Sequence, residues 1–135
     1  MLKSISKKIL PIVQFGLVGT IGFIVDAGGL YIMKSVTGLY PAKAISFLLA
    51  ALTTWLLNRT ITFREEIPKG NIAIEASKYL ITMLGGGVIN YIVFYTTTQN
   101  LSIFLDYPVL AVAAGSISGM AFNFIISKKV IYKAA

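Results

Sequence analysis

The sequence predicts an all-α membrane protein of four transmembrane helices, built as two repeated helix hairpins with both termini in the cytoplasm. Three observations support this prediction. The 135 residues are 56% hydrophobic and only 13% charged, with a mean hydropathy of +0.80. Four apolar runs are long enough to cross a bilayer, and the basic residues lie mostly on one side of them. The second half of the chain also repeats features of the first.

The composition excludes several classes of protein. Soluble domains carry about 25% charged residues, roughly twice the share found here. The chain has no cysteine and no histidine, so disulfides, thiolate nucleophiles and zinc–sulfur sites are excluded. We expect no metal ion, no cofactor and no enzymatic activity, because no nucleophile–base pair is visible. In so apolar a chain, the net charge of +7 indicates cytoplasmic loops rather than nucleic-acid binding.

The apolar runs define four spans within a single domain of residues 1–135. A transmembrane helix needs about 20 mostly apolar residues. We predict spans at about residues 10–33, 40–58, 77–98 and 107–127. The first contains Asp26, the second contains Lys43 near its start, the third contains no charge from Tyr79 onward, and the fourth contains none. An alternative, a signal peptide cleaved near Asp26, is disfavoured by that acid and by the three further spans.

The basic residues predict the orientation. Ten of the twelve precede the first span, follow the fourth, or lie between the second and third. The other side holds Lys34 and Lys43. Because cytoplasmic loops are enriched in Lys and Arg, both termini and the middle loop are predicted to be cytoplasmic.

The two halves of the chain align as a repeat. A shift of 64 residues superposes the first span on the third, and a shift of 69 superposes the second on the fourth. The difference places about five extra residues in the second outer loop. The matched pairs include Gly22–Gly86, Asp26–Asn90, Ser46–Gly115, Ala50–Gly119, Asn58–Ser127 and Arg59–Lys128.

Small residues spaced four apart form a stripe on each span. The second span carries Ser46, Ala50, Thr54 and Asn58, and the fourth carries Ala111, Gly115, Gly119 and Asn123. Such stripes let helix backbones approach closely in lipid. Packing is the favoured explanation of the glycines, with the asparagines as interhelical hydrogen-bonding groups. A flexible or kinked point at Gly85-Gly86-Gly87 is the alternative.

Asp26 is the residue that packing explains least well. A mid-span acid costs roughly 2.5 to 3.5 kcal/mol on insertion scales, so it usually faces a partner or a wet cavity. We expect a functional role for Asp26. The alternative is a structural hydrogen bond to Asn90 or to a nearby Ser or Thr.

A basic cluster follows each even-numbered span at the predicted cytoplasmic end. Asn58-Arg59 is followed by Arg64, and Ser127-Lys128-Lys129 is followed by Lys133. Positive-inside charge accounts for part of this pattern, but not for its repetition at fixed spacing. Guanidinium and ammonium groups at this depth suit a lipid phosphate.

The motifs resemble those of the GtrA-like family of small membrane proteins. They are Gln14-Phe-Gly-Leu-Val-Gly19 with Asp26, Leu56-Leu57-Asn58-Arg59-Thr60-Ile61-Thr62-Phe63-Arg64, Lys78-Tyr79 with Asn90, and Asn123-Phe124 with Lys128. The resemblance runs from about Gln14 to Lys133. Ser127-Lys128 departs from the family's usual Asn-Arg, which weakens a binding role for Ser127 and keeps the charge at Lys128.

The resemblance implies a flippase of the bacterial inner membrane that serves cell-surface polysaccharide or O-antigen modification. Its cargo would be a polyprenyl-phosphate-linked monosaccharide, typically undecaprenyl phosphate-glucose, moved from the cytoplasmic to the outer leaflet. Its partners would be the glycosyltransferase that loads the lipid and another that uses the sugar outside. Because four helices form too small a bundle to enclose a path for the cargo, the size of the chain suggests a homo-oligomer. We expect Arg59, Arg64, Lys128 and Lys129 to bind the phosphate, and Asn58, Asn123, Asn90 and Asp26 to meet the sugar.

Two other functions stay open. A small proton-coupled multidrug exporter would use the acid of the first span, but the repeated basic cluster would repel cationic drugs. A non-transporting membrane partner of a polyprenyl-phosphate glycosyltransferase would use the same cluster to dock an acidic protein surface.

Overall fold

The computed structural model describes the backbone of residues 2–62 and 69–131, and it is helical almost throughout. Within these ranges the side chains are described except those of residues 2–8, 11, 12, 15, 62 and 123–131. The helices are α1 (Leu2–Thr37), α2 (Leu39–Leu57), α3 (Ile72–Asn100), α4 (Ser102–Asp106) and α5 (Pro108–Ile131). A π-helical turn, Asn58–Thr62, continues α2. These ranges contain no β-strand, so the predicted helical class is confirmed.

In the part of the chain that the structure describes, three helices have the length and apolar character of membrane spans. The qualifying stretches are Gly16–Thr37, Leu39–Ile61 and Ile72–Asn100, and α5 adds a shorter apolar stretch, Pro108–Phe122. Large apolar side chains point outward from the bundle, among them Ile32 at 77% and Val36 at 86% exposure. Such a surface is stable against acyl chains rather than against water. The chain is therefore a multi-pass membrane protein.

A single residue connects α1 to α2. Gly38 has a φ of +86°, a left-handed conformation that glycine adopts without steric strain. Its N–H donates to Lys34 O at 3.0 Å, and its carbonyl accepts from Ala42 N at 3.1 Å. The turn thereby satisfies backbone groups of both helices while reversing the chain direction.

The second hairpin has a longer connection. Where α1 and α2 are joined by Gly38, α3 and α5 are separated by the five-residue α4. This helix lies where the two sequence shifts differ by five residues. We call the end of the bundle that carries Gly38 and α4 the turn end, and the end that carries Asn58 and Arg59 the motif end.

The helices pack as two hairpins. α1 lies mainly against α2 and α3 mainly against α5, while α2 with α3 and α1 with α5 join the hairpins. The buried apolar core lies toward the turn end. It consists of Leu30, Ala42, Phe94, Ala111 and Val112, with Phe23, Met33, Tyr40 and Phe104 packed around it.

The two hairpins bury equivalent positions. Under the shifts of 64 and 69, seven buried residues of the first hairpin correspond to buried residues of the second among the described side chains, whereas Val18 and Ala51 correspond to the exposed Thr82 and Met120. The pairs are Gly22–Gly86, Asp26–Asn90, Leu30–Phe94, Ala42–Ala111, Lys43–Val112, Ser46–Gly115 and Ala50–Gly119. Each hairpin thus presents the same face to its own interior, with different side chains at the polar positions.

Candidate functional site

The first hairpin holds a buried ion pair between Asp26 of α1 and Lys43 of α2. Lys43 Nζ donates to Asp26 Oδ2 at 2.5 Å, and the two residues are 0% and 2% exposed. Ser46 Oγ donates to the other carboxylate oxygen, Oδ1, at 2.6 Å. Both carboxylate oxygens are bonded, and a buried charge without such partners would be strongly destabilising.

Two phenylalanine rings flank the Lys43 ammonium group. Nζ lies 5.6 Å from the centroid of the Phe94 ring and 5.8 Å from that of Phe47. These distances fall within the roughly 6 Å range of cation–π attraction. Phe94 is fully buried, whereas Phe47 is half-buried and reaches the surface of the bundle. Besides the Asp26 carboxylate, the cation is thus covered by aromatic rings.

A groove of about 310 Å³ runs beside this pair, between α2 and α3. Its walls are mostly apolar, from Ala44, Phe47 and Leu48 on α2 and from Leu84, Val88 and Ile92 on α3. Lys43 and Asn90 also line it. The groove therefore presents an apolar surface next to the buried polar residues of the bundle.

Asn90 occupies in the second hairpin the place that Asp26 has in the first. It is 5% exposed, and its Oδ1 is buried without a hydrogen-bond partner in the described part of the chain. Oδ1 faces Gly115, where a Cβ would come within 2.7 Å of it. Gly115 is the counterpart of Ser46, so the serine that bonds Asp26 is replaced by a glycine that Asn90 packs against.

The hydrogen bond with a nearby Ser or Thr, which was the alternative to a functional role for Asp26, is present, and Ser46 is the donor. The Asp26 oxygens are bonded to Lys43 and Ser46, and not to Asn90. Sequence reasoning missed Lys43, which it treated only as a charge near the start of a span. The available signal was spacing: Lys43 precedes Ser46 by three residues and Ala50 by seven, so it shares their helix face.

The motif end carries a second ion pair. Arg59, in the π-helical turn, donates through Nε to the two carboxylate oxygens of Glu75 on α3, at 3.2 and 3.1 Å. The side chains of Arg59 and Glu75 are 21% and 23% exposed. Asn58 beside Arg59 is 5% exposed. The bond to Glu75 uses only Nε, and the two terminal guanidinium nitrogens take no part in it.

The other predicted phosphate and sugar contacts fall on residues whose side chains lie outside the described set. Arg64 lies outside the described residues. Asn123, Lys128 and Lys129 lie on α5, but their side chains are outside the described set. Of the predicted site residues, the structure buries Asp26 and Asn90 inside the bundle and positions Asn58 and Arg59 at the motif end.

A polar and aromatic cluster lies between Lys43 and the turn end. Tyr40 Oη accepts from Gln99 Nε2 at 2.6 Å and lies 3.2 Å from Thr98 Oγ1. Tyr91 Oη donates to the Tyr40 carbonyl at 3.3 Å, and the Tyr40 and Tyr95 rings lie 5.0 Å apart. This cluster ties α2 to α3 and so holds the two hairpins together next to the groove.

No cluster of three His, Cys, Asp or Glu side chains that could hold a metal ion occurs among the described residues. No curated protein and no solved structure matches the chain. The sequence does match the family described as GtrA/DPMS, transmembrane domain, over residues 14–132, which is most of its length. The match includes both hairpins, the buried polar residues and the Asn58-Arg59 motif. The chain belongs to the GtrA/DPMS transmembrane-domain family.

Proposed function

We propose that this protein moves a polyprenyl-phosphate-linked monosaccharide, such as undecaprenyl phosphate-glucose, from the cytoplasmic to the outer leaflet of the bacterial inner membrane. Family membership connects the chain with the handling of polyprenyl-phosphate sugars. The observation that carries the proposal is the buried, charged Asp26–Lys43 pair next to an apolar groove open to lipid.

The chemistry of the cargo requires both features. A phosphate with a sugar cannot enter hydrocarbon unpaired, because desolvation of an isolated ion costs many kcal/mol. Its polyprenyl chain, in contrast, is most stable in lipid. A flippase therefore needs polar groups inside the bundle and a lateral opening through which the chain stays outside.

The motif end supplies the entrance in this proposal. Arg59 is paired with the acidic Glu75 through Nε, and among the described residues its terminal nitrogens take no part in that pair, so we expect them to make bidentate contact with phosphate. Arg64, Lys128 and Lys129 add positive charge near the same end of the sequence repeat. Asn58 and Asn123 would then meet the sugar hydroxyls, and Asn90 and the Asp26 region would serve the inner part of the path.

The sequence contains no Walker-type phosphate-binding motif, so ATP is not the expected driving force. Consumption of the sugar by a glycosyltransferase on the outer face would draw the flux outward. A second glycosyltransferase would load the lipid on the cytoplasmic face, and a homo-oligomer would enclose the path.

Reconstitution into sealed vesicles tests this function. Purified protein is incorporated into liposomes, a short-chain polyprenyl phosphate-glucose is added outside, and the protected fraction is measured against protein-free vesicles. We expect protein-dependent transport that falls about tenfold or more with Arg59→Ala, the loss of one charge-assisted contact. Lys69→Ala, which removes an exposed cation in the same loop, is the matched control.

The same vesicles separate the alternatives. Transport that requires an added glycosyltransferase would identify a non-transporting partner. Efflux of a cationic dye driven by a pH gradient, without sugar-lipid transport, would identify a proton-coupled exporter. Equal transport by the wild type and by well-folded Arg59→Ala protein would remove Arg59 from the phosphate path.

A further inference from the structure

We propose that Lys43 and the groove between α2 and α3 form a lipid-phosphate site: the phosphate accepts from Lys43 Nζ, and the hydrocarbon chain lies along the groove. The inference rests on the proposed function, because it assigns an intermediate binding position for the same class of lipid. It concerns binding, however, and can be tested without measuring transport.

The repeat supplies the first argument. The counterparts of Asp26 and Lys43 in the second hairpin are Asn90 and Val112, which are also buried and carry no charge. A neutral pair therefore satisfies packing at this position of the fold. Two charges in the membrane interior are costly by comparison, at roughly 2.5 to 3.5 kcal/mol each on insertion scales. The charge at Lys43 thus has a role that packing does not require.

The hydrogen bonds supply the second argument. A lysine ammonium group has three donors, and Asp26 Oδ2 accepts one of them. Asp26 Oδ1 is bonded separately by Ser46. When Lys43 turns toward an incoming phosphate, the carboxylate keeps the Ser46 hydrogen bond, so it is not left without a partner. Asp26 and the phosphate then act as alternative anions for one cation.

The groove supplies the third argument and identifies the occupant. The side chains of Phe47, Leu48, Leu84, Val88 and Ile92 provide walls that suit a hydrocarbon chain. Lys43 belongs to the wall of the groove with its ammonium group covered, and the exposed apolar residues on the bundle surface face acyl chains. A ligand that fits both parts carries one negatively charged phosphate and one long apolar chain. An uncharged lipid cannot replace Asp26 as the anion of Lys43, so it is not the preferred occupant.

Phe47 controls the approach to the cation. Its ring lines the groove and lies 5.8 Å from Nζ, while the other flanking ring, Phe94, is fully buried. The Phe47 ring packs against Gly87, where a Cβ would lie 2.6 Å from the ring. Because Lys43 is 0% exposed, phosphate reaches Nζ only after the Phe47 ring turns away.

Binding is measured by native mass spectrometry of the intact protein in detergent, with undecaprenyl phosphate and the uncharged undecaprenol as probes. We expect the wild type to prefer the phosphate lipid. The neutral double variant Asp26→Asn with Lys43→Met should fold, because the second hairpin already contains an uncharged pair, and it should lose about tenfold or more of that preference. Lys34→Met, which removes a cation at the turn end outside the groove, should keep it.

Two further arms test the anion exchange and the groove. Asp26→Asn alone removes the competing anion and should strengthen phosphate-lipid binding. Ala44→Phe fills the groove and should weaken binding of both probes, whereas the matched lipid-facing Val36→Phe should not. Inorganic phosphate at millimolar concentration should not displace the lipid.

The results separate this inference from the proposed function. An unchanged phosphate preference in the folded double variant would overturn the role of Lys43, even if transport is observed. Displacement by inorganic phosphate, or no effect of Ala44→Phe, would overturn the groove. A Lys43-dependent preference in a protein that transports no sugar lipid would support the site and contradict the transport function.

Discussion

Asp26 and Lys43 are 17 residues apart in the sequence, yet their side chains meet inside the bundle with a 2.5 Å separation between Oδ2 and Nζ. The pair bridges α1 and α2 and is nearly inaccessible. Its counterparts in the second hairpin, Asn90 and Val112, are neutral. The protein therefore contains two copies of one packing arrangement, only one of which is charged.

Breaking the ion pair should destabilise the protein strongly. Asp26→Ala leaves the Lys43 cation buried without its anion, and we expect a loss of about 3–5 kcal/mol in the free energy of unfolding. The double variant Asp26→Asn with Lys43→Met should lose much less, because no uncompensated charge remains and the side-chain volume is similar. Unfolding in a denaturing detergent, followed by circular dichroism, measures both. A double variant as unstable as Asp26→Ala would contradict this account.

Gly115 should tolerate no larger side chain. A Cβ there would lie 2.6 Å from the Asn90 carbonyl oxygen and 2.7 Å from Oδ1, so Gly115→Ala must separate α5 from α3. We expect a destabilisation of about 1–3 kcal/mol, the usual effect of overpacking. The matched control is Gly28→Ala, whose Cβ meets no atom within 4 Å and which should be neutral or slightly stabilising. Equal effects of the two substitutions would show that the α3–α5 contact is looser than described.

The Arg59–Glu75 pair should matter more for transport than for stability. Both side chains are partly exposed, so Glu75→Gln should change the unfolding free energy by less than about 1 kcal/mol. It also releases Arg59 Nε, and we expect sugar-lipid transport to be kept or increased, while Arg59→Ala reduces it. Vesicle transport assays and detergent unfolding on the same preparations measure the two effects. Loss of transport in Glu75→Gln would instead indicate that Glu75 must hold Arg59 in position.

Orientation can be tested directly, because the chain has no native cysteine. Gly70→Cys lies just before α3 at the motif end, and Ser102→Cys lies in α4 at the turn end. The excess of basic residues at the motif end predicts that position 70 is cytoplasmic and position 102 is external. A membrane-impermeant maleimide applied to intact cells should label only Ser102→Cys. Labelling of Gly70→Cys alone would reverse the orientation and, with it, the proposed direction of transport.

Much of the architecture was readable from the sequence. Long apolar runs have one stable form in lipid, a helix, because backbone hydrogen bonds must be satisfied internally. The repeat identified equivalent small residues, and the structure brings Gly22 close to Thr54 and Gly119 close to Gly86. The difference of five residues between the two shifts corresponds to α4. Each of these features could be predicted because it depends on the residues of a single helix or on the comparison of two segments of the chain.

The partners of the polar side chains were less accessible to sequence analysis. The sequence singled out Asp26 as needing a partner, and serine was among the candidates, but the cation at Lys43 was not recognised. Arg59 was expected to bind phosphate, and its pairing with Glu75 was not foreseen. Neither helix alone specifies such a contact, because it depends on the relative rotation and axial register of two helices.

By itself the sequence determined a helical membrane protein with two related hairpins, a concentration of basic residues toward one end, and an acid in the first span that required compensation. These features follow from residues close together in the sequence, because apolar side chains partition into lipid and buried backbone N–H and C=O groups must be hydrogen-bonded within their own helix. Only the tertiary structure decided that Lys43 compensates Asp26 and that a groove between α2 and α3 lies beside them. Those outcomes depend on how the hairpins pack, which is settled by many small side-chain contacts at once rather than by any pattern along the chain.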